Sequence, residues 1–132
     1  MKHIRVRCIL FDLDGTLYNS SEYSNHLEEE ISRIVSEELR IDEPHAKLLV
    51  EQRRKAIGTL TRTIESLGIS RSDFYRKMAS RVEPRTYLSP ETEVREALMR
   101  LKQMGFQIGL VSNSGRELVD KILDAIGLEN TM

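Results

Sequence analysis

The feature that most constrains this chain is a short apolar run that ends in two closely spaced aspartates. Residues 8–11 (CILF) lead into Asp12, Leu13 and Asp14, and Gly15 follows. Such a run is typical of a buried strand in a parallel sheet, and ligands of open α/β sheets bind beyond the carboxyl ends of the strands. Because side chains alternate along an extended chain, both carboxylates can face one site. Gly15 permits a tight turn there.

The rest of the chain predicts one more strand and several helices. Residues 106–111 form a second apolar run, which leads into Ser112 and Asn113. Ser114 and Glu117 have the spacing of a capping box for a last helix. The remaining helices are predicted from apolar periodicity, from Gly or Pro breaks and from capping residues, among them Asp42 and Ser70. They cover about 22–40, 43–58, 59–67, 71–82 and 90–104.

The long separation of the two strands predicts an inserted domain. About ninety residues lie between them, whereas a parallel crossover needs about a dozen. We therefore expect residues 19–87 to form a helical cap, and residues 1–18 and 88–132 to form an α/β core. A cap inserted after a strand tip can close over a site and exclude water.

Charge and composition exclude some functions. The net charge is −1, so the composition lacks the excess of basic residues that is typical of nucleic-acid binding. No apolar run has the length of a membrane span. Cys8 is the only cysteine, which favours a reducing, cytoplasmic location. We interpret Cys8 as a small buried hydrophobe, and His3, His26 and His45 as surface residues without metal-ligand spacing.

Residues 11–17 (FDLDGTL) resemble the first motif of the haloacid dehalogenase-like hydrolases, a superfamily made mostly of phosphatases. Residues 111–114 (VSNS) resemble its second motif, and the helical insert resembles its small all-α cap. Residues 17–18 and 58–60 are similar to the branch that contains pyrimidine 5′-nucleotidase-like enzymes. The resemblance implies an α/β fold with a Rossmann-like parallel-sheet core, here incomplete. It implies a small phosphorylated metabolite, such as a nucleotide, as substrate.

The resemblance also implies roles for individual residues. Asp12 would be the nucleophile that forms an aspartyl-phosphate intermediate, and Asp14 would be the general acid and base. Mg²⁺ would bind the side chain of Asp12 and the backbone carbonyl of Asp14. Ser112 would bind the phosphoryl group through its hydroxyl, and Asn113 through its backbone N–H. Ser112 and Asn113 have an alternative reading as part of an ordinary strand-to-helix turn.

The sequence departs from the family pattern after Ser112. The family has a later lysine and then an acidic pair. Lys121, Asp120 and Asp124 all lie within the last predicted helix. We therefore expect a fragment of a longer protein, with a shortened relative as the alternative. We expect this chain to hydrolyse phosphate esters poorly or not at all.

Two alternatives to a phosphatase stay open. One is a non-catalytic module that binds phosphate or a partner, with the incomplete core favouring a homo-oligomer. The other is a phosphomutase or a phosphonatase, since both share the first motif. Residues 53–55 (RRK) are interpreted as a solvated helix face, with contact to substrate phosphate as the alternative.

Overall fold

The computed structural model describes residues 3–132, and its elements follow the predicted order of strand, inserted helices, helix, strand and helix. The elements are β1 (Cys8–Asp12), α1 (Ser21–Leu39), α2 (Glu43–Ile57), α3 (Leu60–Ser66), α4 (Arg71–Arg81), a 3-10 turn (Pro84–Thr86), α5 (Thr92–Gln103), β2 (Gln107–Val111) and α6 (Arg116–Ile126). The predicted α/β class with an incomplete parallel-sheet core is confirmed. Among the described residues, no helix is long and apolar enough to cross a membrane.

The two strands pair in parallel, so their carboxyl ends meet at one edge. Cys8 pairs with Gln107, and Asp12 pairs with Val111 at the other end. The polar residues that follow each strand therefore begin side by side. This register brings together two segments that lie about a hundred residues apart in the chain.

The prediction that β1 is a buried strand is wrong for one of its two faces. Its residues alternate between exposed and half-buried, and Cys8 is exposed rather than buried. Phe11 packs against the core, whereas Leu10 is 66% exposed and Val111 is 53% exposed. One face of the strand pair is thus covered, and the other carries apolar side chains that none of the described elements covers.

Local capping explains why the inserted helices begin where they do. Ser20, Asp42, Thr59 and Ser70 are the N-caps of α1 to α4, and each side chain accepts a hydrogen bond from a backbone N–H three residues later. This satisfies one of the donors that a helix start leaves without a partner. Asp42 and Ser70 were predicted as caps, and both predictions are confirmed.

The helical insert, formed by α1 to α4 and the 3-10 turn, packs onto α6 through α4 and the 3-10 turn. Helix α4 contacts α1 on one side and α6 on the other. Phe74 of α4 and Ile122 of α6 are both fully buried in the same apolar cluster. Their burial joins the insert to the helix that follows β2, and so it fixes which residues face each other across the strand ends.

Two predicted helix starts are wrong. Helix α5 begins at Thr92 rather than Pro90, because the N–H of Glu91 donates to the carbonyl of Ile126 at 2.9 Å and holds this segment extended. Helix α6 is capped by Gly115 without a side-chain hydrogen bond. The expected cap, Ser114, lies one residue before this N-cap, in the loop after β2, where its N–H donates to the Ser112 hydroxyl at 3.1 Å.

The prediction that His26 lies at the surface is also wrong. Its ring is half-buried and stacks on Tyr87 with a centroid distance of 4.7 Å. The insert folds α1 back against the segment that leaves α4, and this packing covers the imidazole.

Candidate active site

The two aspartates are presented as the alternation predicts. Asp12 ends β1, and Leu13 is fully buried between two exposed carboxylates. Because the buried leucine anchors the backbone, Asp12 and Asp14 project on the opposite side from it. The strand end thus holds two carboxylates whose positions are set by a core residue.

A tight turn follows the second aspartate. The carbonyl of Leu13 accepts hydrogen bonds from the N–H groups of Thr16 at 3.3 Å and Leu17 at 3.1 Å. Gly15 has a φ of +76°, which a side chain disfavours. No atom lies within 4 Å of where a Cβ would stand, so the need for glycine comes from the backbone conformation alone.

Both carboxylate oxygens of Asp14 have hydrogen-bond donors. The hydroxyl of Tyr18 donates to Oδ1, and the hydroxyl of Ser112 donates to Oδ2 at 3.5 Å. Ser112 also accepts a hydrogen bond from the N–H of Ser114 at 3.1 Å. The predicted Asp14 and Ser112 therefore meet directly, across 98 positions of sequence.

Tyr18 is held in place by aromatic packing. It is 7% exposed, and its ring meets Tyr23 edge to face at 5.7 Å. Burial first, and then the hydrogen bond to Asp14, raise the pKa of Tyr18 above the usual value for a phenol. Burial and the charge of Asp14 raise the pKa of Tyr23 in the same direction. Tyr18 therefore stays a protonated donor toward the carboxylate.

A cavity of about 630 Å³ lies between these strand ends and the insert. On the strand side it is lined by Asp14 and Asn113. Asp12 and Ser112 do not line it, so they sit beside the cavity rather than in its wall. On the insert side three arginines line it, together with hydroxyl and apolar side chains. The arginines are Arg54, Arg62 and Arg71.

The donor set fits a magnesium ion held by few protein ligands. Among residues 3–132 no group of three acidic, imidazole or thiol side chains converges on one point. Mg²⁺ usually binds through one or two carboxylates and keeps several waters or phosphate oxygens. Asp12 has no hydrogen bond to its carboxylate from the described side chains, whereas both oxygens of Asp14 are engaged. Of the two carboxylates, the side chain of Asp12 is thus the one with oxygens free for a metal.

Lys121 does not reach the strand ends. Its ammonium donates to the carbonyl of Val82 at 3.2 Å and to Glu83 at 3.1 Å. Asp124 pairs with Arg85 on the same side of α6. Both α6 side chains bind the segment after α4. Neither supplies the cation or the metal ligands expected later in the family pattern.

Sequence reasoning missed the roles of Tyr18, Arg62 and Arg71, and it kept a substrate contact of residues 53–55 only as an alternative. Tyr18 follows Asp14 by four residues in a turn, and no periodic pattern marks such a contact. Arg54 belongs to the basic run that was interpreted as solvated, yet it lines the cavity. Its neighbour Arg53 is exposed and lies 3.5 Å from the hydroxyl of Ser66.

Comparisons with known proteins agree with this geometry. Residues 9–132 match the family model described as haloacid dehalogenase-like hydrolase. The chain is 33% identical over 131 aligned residues to a phosphoglycolate phosphatase of Aquifex aeolicus (strain VF5). That alignment covers 93% of this chain and 56% of the relative, so the chain spans a little over half the length of the curated relative. With the family model matched from β1 to the last residue and the motif aspartates at a strand end, this chain belongs to the haloacid dehalogenase-like hydrolases.

Proposed function

We propose that this chain provides the nucleophile and the phosphate-binding edge of a Mg²⁺-dependent phosphatase. The observation that carries the proposal is the 3.5 Å contact between the Ser112 hydroxyl and Asp14 Oδ2. It brings the residues of both motifs to one edge of the sheet. A similar protein with phosphatase in its name supports the same reaction class.

The proposed chemistry assigns one role to each carboxylate. Asp12 attacks the phosphorus atom, the ester oxygen leaves, and an aspartyl-phosphate forms. Asp14 donates a proton to the leaving oxygen and later accepts one from the water that attacks the aspartyl-phosphate. The products are an alcohol and inorganic phosphate. Ser112 and the backbone N–H of Asn113 hold the phosphoryl oxygens during both steps.

Mg²⁺, held by the Asp12 side chain and the Asp14 carbonyl, would supply charge neutralisation for the phosphoryl oxygens. The hydrogen bonds from Tyr18 and Ser112 leave the side chain of Asp14 oriented for proton transfer rather than metal binding. We further propose that residues 19–87 act as a cap over a core of residues 1–18 and 88–132. The exposed, unpaired Cys8 fits a cytoplasmic location.

A nucleophile test that does not need turnover suits this chain, because Lys121 does not reach the site and slow hydrolysis is expected. Beryllium fluoride mimics a phosphoryl group on an aspartate in the presence of Mg²⁺. We expect a bound ¹⁹F NMR resonance with the full chain, lost in Asp12→Asn and kept in the control Asp120→Asn, which changes an exposed residue of α6. A resonance that survives Asp12→Asn, or none at millimolar reagent, would refute the assignment.

The exposed sheet face favours a second candidate, a module that associates through β1 and β2. Leu10 and Val111 place apolar surface on a face that no described element covers. Native mass spectrometry tests this candidate. The candidate is supported if the wild type forms a concentration-dependent dimer and Leu10→Lys is a monomer. It is refuted if the wild type is a monomer at high protein concentration.

The proposed substrate class is a small phosphomonoester. The name of the Aquifex relative makes a phosphorylated acid one candidate. The branch resemblance of residues 17–18 and 58–60 makes a nucleotide the other. The charges of the cavity wall bear on this choice.

A further inference from the structure

The insert side of the cavity carries a positive charge that no described carboxylate balances. We propose that Arg62 and Arg71 bind a carboxylate on the same molecule whose phosphate is bound at the strand ends. This rests on the proposed function, because it names the substrate class of that site. A small phosphorylated acid, rather than a nucleotide, would then be the preferred ligand.

The charges of the lining residues give the net positive charge. Arg54 pairs with Glu28 at 3.1 Å, so these two cancel. Arg62, Arg71 and Glu65 line the same cavity, and none of them has an ion-pair partner within 4 Å among the described residues. Two positive charges and one negative charge remain, which leaves a net charge of +1 on the insert side.

That charge matches one carboxylate. A guanidinium binds a carboxylate through two parallel hydrogen bonds, which adds geometry to the charge. A second phosphate at neutral pH carries up to two negative charges and would exceed the available positive charge. A nucleobase carries none and would leave the guanidinium groups unbalanced. Charge complementarity therefore favours a ligand with one carboxylate besides its phosphate.

Hydroxyl groups also line the insert side of the cavity, together with the arginines. The hydroxyls of Thr61 and Tyr75 lie 2.6 Å apart and join α3 to α4. Both line the cavity, as does Thr59, which caps α3. This hydrogen bond links α3, which carries Arg62, to α4, which begins with Arg71. The two arginines therefore lie on helices that are joined directly to each other.

The cavity has room for such a ligand to span both sides. Its volume of about 630 Å³ lies within the range of small-molecule sites. Asp14 and Asn113 line it from the strand ends, and the arginines line it from the insert. A ligand with its phosphate at the strand ends would direct its other end toward the insert.

The test compares ligands that differ in one group. 2-Phosphoglycolate and ethyl phosphate differ only in that a carboxylate replaces a methyl group. Calorimetric titration of the full chain with Mg²⁺ measures Kd for both, for inorganic phosphate and for uridine 5′-monophosphate. We expect 2-phosphoglycolate to bind at least about tenfold more tightly than ethyl phosphate, which corresponds to about 1.4 kcal/mol. It should also bind more tightly than the nucleotide.

Variants assign the preference to the two arginines. The double variant Arg62→Gln/Arg71→Gln changes two exposed side chains, and it should lose the preference while its Kd for inorganic phosphate stays within about twofold. The control Arg53→Gln removes an exposed arginine outside the cavity wall and should keep the preference. Circular dichroism checks that each variant is folded.

The outcomes separate the inference from the proposed function. If inorganic phosphate and ethyl phosphate bind but 2-phosphoglycolate has no advantage, the carboxylate site is refuted and the phosphatase proposal stands. If the nucleotide binds more tightly, or the preference survives in the double variant, the inference is also refuted. If none of the four ligands binds, both the proposed function and the inference fall.

Discussion

The hydroxyl of Tyr18 donates a hydrogen bond to Oδ1 of Asp14. Tyr18 stands where the chain leaves the strand end for α1, and its ring packs against Tyr23 of that helix. The carboxylate proposed as general acid is thereby tied to the first turn of the insert. A movement of α1 relative to the strands would change the orientation of Asp14, because Tyr18 contacts both Tyr23 of α1 and the Asp14 carboxylate.

Removing the Tyr18 hydroxyl should show how much its hydrogen bond to Asp14 contributes to the free energy of unfolding. Tyr18→Phe keeps the ring and loses a hydrogen bond to a charged acceptor. We expect it to lower the free energy of unfolding by about 1.5 kcal/mol. Urea denaturation at pH 7 measures the change. Tyr87→Phe is the control, because the Tyr87 hydroxyl makes no hydrogen bond to the described residues, and it should cost less than about 0.5 kcal/mol. Equal losses in the two variants would show that the contact adds no stability.

Alkaline pH should destabilise the fold through Tyr18 and Tyr23. Their pKa values are raised in the folded state by burial and by Asp14, while an unfolded tyrosine ionises near pH 10. Below about pH 10 both states hold the phenol protons and this contribution to stability is complete. Above that pH only the unfolded state loses them. Stability then falls by about 1.4 kcal/mol per pH unit for each phenol.

Unfolding experiments from pH 8 to 11 test this slope. Lysines also titrate in that range, so the informative quantity is the difference between wild type and Tyr18→Phe. Above pH 10 the stability of the variant should fall less steeply, by about 1.4 kcal/mol per pH unit, because one phenol fewer ionises on unfolding. Identical slopes in the two proteins would contradict the assignment.

Of two glycine-to-alanine substitutions, the one whose new Cβ has the closer contact should cost less stability. A Cβ on Gly109 would stand 2.5 Å from Cδ2 of Leu10, and a Cβ on Gly115 would stand 3.1 Å from Cβ of Tyr75. The Leu10 side chain is exposed and can rotate away, whereas the Tyr75 Cβ is fixed to the backbone of α4. We expect Gly109→Ala to be neutral within about 0.5 kcal/mol, and Gly115→Ala to cost about 1–2 kcal/mol. Thermal unfolding of both variants gives the comparison, and a reversed order would show that α4 and α6 are loosely packed.

The ion pair between α1 and α4 should contribute only above acidic pH. Arg81 donates to Glu37 at 2.6 Å, and this hydrogen bond lowers the pKa of Glu37. A lowered pKa means that the contribution is complete above the unfolded value near 4.3 and disappears as the pH falls through the folded value. Glu37→Gln should cost less than about 1 kcal/mol at pH 7, and less at pH 2.5 than at pH 7. Urea unfolding at both pH values is the measurement, and a cost that grows toward acid would contradict it.

Several features could be predicted because they depend on neighbours in the chain. The caps Asp42 and Ser70 act on N–H groups three residues later. The alternation of Asp12 and Asp14 around buried Leu13 follows from extended backbone. The predicted cap at Ser114 is wrong because the helix begins one residue later, with Gly115 as N-cap, and Ser114 belongs to the loop after β2, where its N–H donates to Ser112.

The sequence by itself determined the order of the elements, the two carboxylates after β1 and the family, since periodicity, capping and a contiguous motif are local properties. Only the tertiary structure decided that Ser112 reaches Asp14, that Arg62 and Arg71 line one cavity, and that one face of the strand pair stays exposed. These relationships join segments far apart in the chain. They depend on the parallel pairing of β1 with β2 and on how α4 packs between α1 and α6, and no local pattern encodes either.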